Sequence, residues 1–106
     1  MRKLLETILQ GEGYQILMAE DGREALKIAF ENDFHAIIAD EQMPGLTGSE
    51  LFTILNTDPE KRSVPRIMIS GHVGEDKRPA PELYDVFVSK DADIKTQIIA
   101  ALDKLL

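Results

Sequence analysis

Apolar and polar residues follow two different periods along this chain of 106 residues. Four segments repeat apolar residues every three or four positions, which is the spacing of a helix with one face turned to a core. The apolar positions of these segments are Leu4, Leu5, Ile8 and Leu9; Ala25, Leu26, Ala29 and Phe30; Leu51, Phe52, Ile54 and Leu55; and Ile94, Ile98, Ile99, Leu102, Leu105 and Leu106. We expect Asp21 to cap the second helix, and Thr47 or Ser49 to begin the third.

Four short apolar runs lie between these helices and predict buried β-strands. The runs are Tyr14–Ala19, Ala36–Asp40, Pro65–Ser70 and Asp85–Ser89. A weak helix is expected between the third and fourth runs, where Pro79 and Pro81 limit its length. The alternation of helices with continuous apolar strands predicts an α/β fold with a parallel sheet that is covered by helices on both faces.

The composition is typical of one compact domain spanning residues 1–106, with 43% hydrophobic residues and no cysteine. No apolar run approaches the roughly eighteen residues that a membrane span needs. The net charge of −7 argues against a domain that binds nucleic acid through its phosphates. We expect a cytoplasmic protein that binds neither membranes nor nucleic acid directly.

Three polar residues mark the ends of consecutive predicted strands. Asp40 ends the second strand, Ser70 ends the third, and Lys90 follows the fourth. Because the carboxyl ends of parallel strands lie at one edge of the sheet, we expect these side chains to meet. A carboxylate can form an acyl phosphate there, and the hydroxyl and ammonium groups can contact its oxygens. Taken singly, each residue has an ordinary alternative role: a cap, a loop hydrogen bond or a solvent-exposed charge.

The set of motifs resembles the receiver (CheY-like) domain of two-component response regulators over essentially the whole chain. In that family the phosphoaccepting Asp precedes a Met-Pro-x-x-x-Gly turn, which matches Asp40 and the MPGLTG segment that ends at Gly48. A later strand ends in Thr or Ser, here Ser70. The last strand carries an aromatic residue three positions before a Lys, here Phe87 and Lys90. The resemblance implies a three-layer, flavodoxin-like fold.

The resemblance also implies a signalling module of a two-component system rather than an enzyme. Asp40 would accept a phosphoryl group from a sensor histidine kinase, with Mg²⁺ bound by Asp40 and the backbone carbonyl of Gln42. Lys90 would pair with the phosphoryl group, and Ser70 would move to form a hydrogen bond with it. Phe87 would turn inward as Ser70 moves, which changes a protein-binding surface.

The match breaks at the N-terminus. Receiver domains begin with a strand that ends in two adjacent acidic residues, which hold Mg²⁺, whereas this chain matches from the first helix onwards. Asp40 and one carbonyl make a weak Mg²⁺ site, and Glu41 is a poor substitute because neighbouring strand-end residues point in different directions. The missing strand is central in the family, so its absence leaves strand edges unpaired. We therefore expect a start downstream of the natural one, with rearrangement or a homodimer or strand-swapped assembly.

Two alternatives remain open on the sequence. A degenerate receiver that serves only in protein interaction or dimerisation is favoured by the missing acidic pair. A flavodoxin-like binding protein or enzyme that uses the same edge of the sheet is disfavoured, because no Gly-rich phosphate loop follows any predicted strand.

Overall fold

The computed structural model of the protein describes residues 2–71, 81–90 and 93–106. Four α-helices and three β-strands lie within these residues. They are α1 (Arg2–Gly11), α2 (Gly22–Glu31), β1 (Ile37–Asp40), α3 (Gly48–Asn56), β2 (Arg66–Ser70), β3 (Val86–Ser89) and α4 (Ile94–Leu105). A 3₁₀ turn at Pro81–Leu83 precedes β3, and residues 72–80 of the segment predicted to hold a weak helix lie outside the described residues. None of the described helices is both long and apolar enough to cross a membrane.

The three strands form one parallel sheet in the order β1-β2-β3. Asp40 lies opposite Ile69 of β2, and Ser70 lies opposite Ser89 of β3. The three strands therefore end at nearly the same level, and the residues that follow them share one edge of the sheet.

Helices cover both faces of the sheet because apolar side chains alternate between the faces along each strand. In β2, which is buried throughout, Ile67 and Ile69 belong to one core cluster and Met68 belongs to the other. The first cluster contains Ile98, Ala101 and Leu102 of α4, with Leu5 and Leu9 of α1 packed against it; the second contains Ala29 of α2 and Leu51, Phe52 and Leu55 of α3. The predicted three-layer arrangement around a parallel sheet is confirmed.

Three residues that the helical pattern assigned to the core are exposed. Leu4 is 47% exposed, Phe30 is 44% exposed and Leu106 is 57% exposed. Phe30 follows the buried Ala29, and one position turns a side chain by about 100° around the helix axis. Leu4 lies in the first turn of α1, and Leu106 lies beyond the last residue of α4. The core faces of α1, α2 and α4 are therefore smaller than the apolar pattern suggests, whereas the predicted apolar face of α3 is buried or partly buried.

The predicted strand at Tyr14–Ala19 is wrong, because these residues join no sheet. Tyr14 packs against a core cluster, whereas Leu17 is 57% exposed. An apolar run favours burial, but a strand also needs a neighbour for its backbone N–H and C=O groups. Among the described residues β1 pairs only with β2, so it does not supply that neighbour.

A buried arginine holds the start of β2 to the C-terminal end of α3. The Arg66 guanidinium donates to the carbonyl oxygens of Phe52 (3.3 Å) and Lys61 (3.1 Å), and to the side chain of Asn56. Burial lowers the pKa of the Arg66 guanidinium, and the nearby Asp85 carboxylate partly opposes that change. Because a buried charge is costly without partners, these contacts fix α3 against the sheet at the end far from Asp40.

The N-terminus of α2 packs directly on the loop that follows β1. The Gly22 N–H donates to the Pro44 carbonyl oxygen at 2.9 Å. A Cβ atom on Gly22 would lie 2.4 Å from the Cβ of Leu46 and 2.8 Å from its backbone nitrogen. Only glycine fits here, because the obstruction includes backbone atoms that cannot rotate away.

We predict that Gly22→Ala lowers the free energy of unfolding by about 1–3 kcal/mol, because the added methyl group overpacks this contact. The matched control is Gly11→Ala, where a Cβ atom would have no neighbour within 4 Å. That variant should be neutral or slightly stabilising, since alanine is the better helix former. Urea denaturation measures both variants, and equal stability would show that the loop after β1 moves aside.

Candidate functional site

The carboxyl edge of the sheet groups Asp40, Ser70 and Lys90. Asp40 is the last residue of β1, and its Oδ2 atom forms an ion pair with the Lys90 ammonium. Lys90 follows β3, and its backbone N–H donates to the Ser70 carbonyl oxygen at 2.8 Å. Ser70 ends β2 and is only 5% exposed. The three residues that mark strand ends in the sequence are thus linked in the folded chain.

The charge at the end of β1 is satisfied on both carboxylate oxygens. Oδ2 of Asp40 pairs with Lys90, and Oδ1 accepts the Gln42 N–H at 2.9 Å. The Asp40 side chain is 16% exposed and that of Lys90 is 29% exposed, so solvent screens this pair less than it screens one on an open surface. A partly accessible carboxylate beside a held positive charge can act as a nucleophile towards phosphorus.

The first residue of α3 lies directly against the backbone of Asp40. A Cβ atom on Gly48 would lie 2.9 Å from the Asp40 carbonyl oxygen and 2.8 Å from Met68 Sδ. The glycine that ends the MPGLTG turn is therefore required by close approach. Gly45, within the same turn, has a φ of 85° and occupies the left-handed region that favours glycine.

Glu41 has a partner that the sequence pattern did not indicate. Its carboxylate accepts the Ser49 N–H at 2.8 Å and also the Ser49 hydroxyl. The side chain therefore points to the N-terminus of α3, in agreement with the expectation that residues diverge at a strand end. No periodic pattern relates two residues eight positions apart across a turn, so only the folded loop reveals this contact.

Phe87 lies on the face of the sheet that α2 and α3 cover. It is half-buried against the cluster that contains Met68, its neighbour across the β2–β3 ladder. Its ring centroid lies 5.7 Å from that of Tyr84, with an interplanar angle of 51°. A rotation of Phe87 would therefore change the surface near Tyr84 and the 3₁₀ turn.

A sequence model of the response regulator receiver domain matches residues 1–102 of the chain. The chain belongs to this family. Receiver domains are signalling modules of two-component systems rather than enzymes in the usual sense, so the function class expected from the motifs is confirmed.

Relatives and solved structures agree with the family match. The polar-differentiation response regulator DivK of Brucella ovis is 28% identical over 94 residues, which cover 87% of this chain and 76% of that protein. The chemotaxis protein CheY4 of Vibrio cholerae is 26% identical with a TM-score of 0.88, over 99% of this chain and 88% of that one. The response regulator TrrA of Thermotoga maritima, solved in complex with Mg²⁺-BeF, is 31% identical with a TM-score of 0.83, over 99% of this chain and 89% of that one. The CheY-like fold is confirmed.

The described residues of this receiver domain do not complete a Mg²⁺ site. Mg²⁺ demands an octahedral shell of oxygen ligands, usually with one or two carboxylates. Both oxygens of Asp40 are engaged, Glu41 is bound to α3, and Asp21 caps α2. No cluster of three acidic or histidine side chains suited to a metal occurs within residues 2–71, 81–90 and 93–106. A cation at this edge would compete with Lys90 for Asp40.

We predict that Lys90→Ala strengthens Mg²⁺ binding, because it removes the competing ammonium group. Two unit charges about 4 Å apart contribute about 1 kcal/mol even in water, so the dissociation constant should fall roughly fivefold. Titration of the Gln42 amide resonance with MgCl₂ measures the constant. Lys104→Ala, which removes an exposed lysine of α4, should leave it unchanged. If Lys90→Ala also leaves it unchanged, the ion pair does not compete with the metal.

Proposed function

We propose that Asp40 is the phosphoryl-accepting residue of this receiver domain, and that a sensor histidine kinase supplies the phosphoryl group. The observation that carries the proposal is the ion pair of Asp40 with Lys90 next to the buried Ser70. It combines a nucleophilic carboxylate, a positive charge and a hydroxyl group at one edge of the sheet. Each group matches a requirement of phosphoryl transfer.

The proposed reaction moves a phosphoryl group from a histidine nitrogen of the kinase to Asp40. An Asp40 carboxylate oxygen bonds to phosphorus while the phosphorus–nitrogen bond breaks, and the departing imidazole takes up a proton. The product is an acyl phosphate with more negative charge than the original carboxylate. Lys90 then pairs with the phosphoryl oxygens, and the Ser70 hydroxyl donates a hydrogen bond to one of them.

In the same proposal Ser70 and Phe87 carry the signal from Asp40 to the surface. By the alternation of side chains, Ser70 lies on the same face of β2 as Met68, and Phe87 packs beside Met68. A shift of the Ser70 side chain towards the phosphoryl group leaves room on that face, and Phe87 can turn into it. The local charge change thus becomes a change of surface shape for a protein partner.

We predict that phosphoramidate with MgCl₂ adds one phosphoryl group to the wild-type chain and none to Asp40→Asn, because an amide is not nucleophilic enough to replace the carboxylate. Intact-mass spectrometry measures the addition. Asp103→Asn, which alters an exposed carboxylate of α4, is the matched control and should react like the wild type.

Two results would contradict this assignment. Addition to Asp40→Asn would place the acceptor at another residue. A wild-type chain that does not react would favour the alternative hypothesis of a degenerate receiver that serves only in protein interaction or dimerisation. Without such a result, that alternative has no more support than a receiver that is phosphorylated.

Mg²⁺ is the proposed cofactor, with Asp40 and the Gln42 backbone carbonyl as two of its ligands. The support is indirect: TrrA, 31% identical, was solved with Mg²⁺-BeF. The ion would have to displace Lys90 from Asp40, because the carboxylate is already paired. The absence of the family's first strand and its acidic pair from this chain stays a prediction.

Self-association is the second part of the proposal, as a homodimer or by exchange of a strand. The outer edge of β1 is unpaired among the described residues, and the apolar segment Tyr14–Ala19 joins no sheet. Exposed strand edges readily add a strand from another chain. In this arrangement Tyr14–Ala19 of one copy pairs with β1 of the other, which satisfies backbone groups of both.

We predict that Leu17→Lys weakens this association, because Leu17 is exposed within the unpaired segment and lysine opposes strand addition. Sedimentation velocity should show a dissociation constant about tenfold higher, equivalent to about 1.4 kcal/mol. Leu106→Lys is the matched control, since both leucines are 57% exposed. A monomeric wild type, or equal weakening by both substitutions, would contradict this mode of association.

Three broader expectations remain predictions. The kinase partner and the lack of cysteine favour the cytoplasm. The net charge of −7 disfavours direct binding of nucleic acid. The family match over residues 1–102 is consistent with one receiver domain over residues 1–106.

A further inference from the structure

Glu41 connects three elements of the fold through its backbone and its side chain. Its N–H donates to the Ile69 carbonyl oxygen at 2.8 Å, which extends the β1–β2 ladder by one residue. Its carbonyl oxygen accepts the Gly48 N–H at 3.2 Å. Its carboxylate accepts both the N–H and the hydroxyl of Ser49. The residue after Asp40 is therefore bound to β2 and to the start of α3 at once.

The first backbone N–H groups of α3 are all occupied. Glu41 accepts from Gly48 and Ser49, and the Thr47 hydroxyl oxygen accepts from Glu50 at 3.0 Å. A helix N-terminus favours negative charge, so the Glu41 carboxylate fills the position that an anion would otherwise take. Its charge serves the helix and is not directed at the Asp40 carboxylate.

This attachment bears directly on the geometry of Asp40. The peptide between Glu41 and Gln42 carries the N–H that holds Asp40 Oδ1 at 2.9 Å. On the other side, Gly48 lies against the Asp40 carbonyl oxygen. If Glu41 were released from α3, both the Gln42 N–H and the helix that contacts Asp40 would be free to shift.

We propose that Glu41 is a positioning residue, which holds the Asp40 carboxylate in its reactive orientation by binding the N-terminus of α3. The proposal rests on the proposed role of Asp40 as phosphoryl acceptor. Glu41 contacts neither the phosphodonor nor the reacting atoms, and it acts through the Gln42 N–H and the placement of α3.

The test compares Glu41→Ala with Glu50→Ala. The Glu50 carboxylate accepts the Thr47 N–H at 3.0 Å in the capping box of the same helix, so both substitutions remove one carboxylate from the N-terminus of α3. Glu50 is not bonded to the residues around Asp40. Differences between the two variants therefore report on positioning, whereas a shared effect reports on helix stability.

Two measurements are made on the full chain. Varying the concentration of phosphoramidate gives the maximal rate of phosphorylation separately from the concentration at which half of that rate is reached. Hydrogen exchange of the Gln42 amide is followed by NMR. Glu41→Ala should lower the maximal rate about tenfold, because small misplacements of a reacting group cost rate steeply. Its Gln42 amide should exchange faster by a similar factor. Glu50→Ala should change neither, and Glu41→Gln should recover most of the rate because its amide oxygen still accepts the Ser49 N–H.

Equal effects of Glu41→Ala and Glu50→Ala on the rate and on the exchange would overturn the proposal. A rate for Glu41→Gln that is as low as the rate for Glu41→Ala would also overturn it.

If the wild type is not phosphorylated, the proposed function fails, and the exchange of the Gln42 amide alone decides whether Glu41 is a positioning residue. Faster exchange in Glu41→Ala but not in Glu50→Ala supports the proposal, whereas equal exchange in the two variants overturns it. If Glu41→Ala does not fold, Ser49→Ala replaces it, since it removes one of the two bonds to the carboxylate. No difference between Ser49→Ala and Glu50→Ala would then overturn the proposal.

Discussion

The ion pair between Asp40 and Lys90 is the interaction on which the site depends. β1 is a short strand between two apolar layers, and a carboxylate at its end is costly without a partner. The partner comes from the end of β3, with β2 lying between them. The parallel alignment and the register of the three strands bring these two charges together at one edge of the sheet.

The helices around this edge approach the backbone more closely than side chains would permit. Gly22 brings α2 against the loop after β1, and Gly48 brings α3 against the Asp40 peptide. Close approach lets the N-terminus of α3 bond to Glu41, which orders the turn between them. The turn that follows Asp40 is thus supported by the N-termini of α2 and α3.

At this edge of the sheet, the residues beneath the site are buried, whereas its two charged side chains are partly exposed to solvent. Met68 is 0% exposed and Ser70 is 5% exposed, whereas the side chains of Asp40 and Lys90 are 16% and 29% exposed. The core beneath the site is closely packed, and the residues next to the site differ in how deeply they are buried. Phe87, which the proposed mechanism assigns as the switch, is half-buried beside Tyr84.

The sequence by itself determined the four helices, three of the four predicted strands, the cap at Asp21, and the placement of Asp40, Ser70 and Lys90 where strands end, because these follow from local patterns and from the topology of parallel sheets. It did not determine that Tyr14–Ala19 joins no sheet or that Phe30 is exposed, since pairing and burial depend on neighbours distant in the chain. The contacts of Glu41 with Ser49, and of Arg66 with α3, were likewise decided by the tertiary structure alone. A polar side chain shows its chemistry in the sequence, but its partner is set by distances that exist only once the chain has folded.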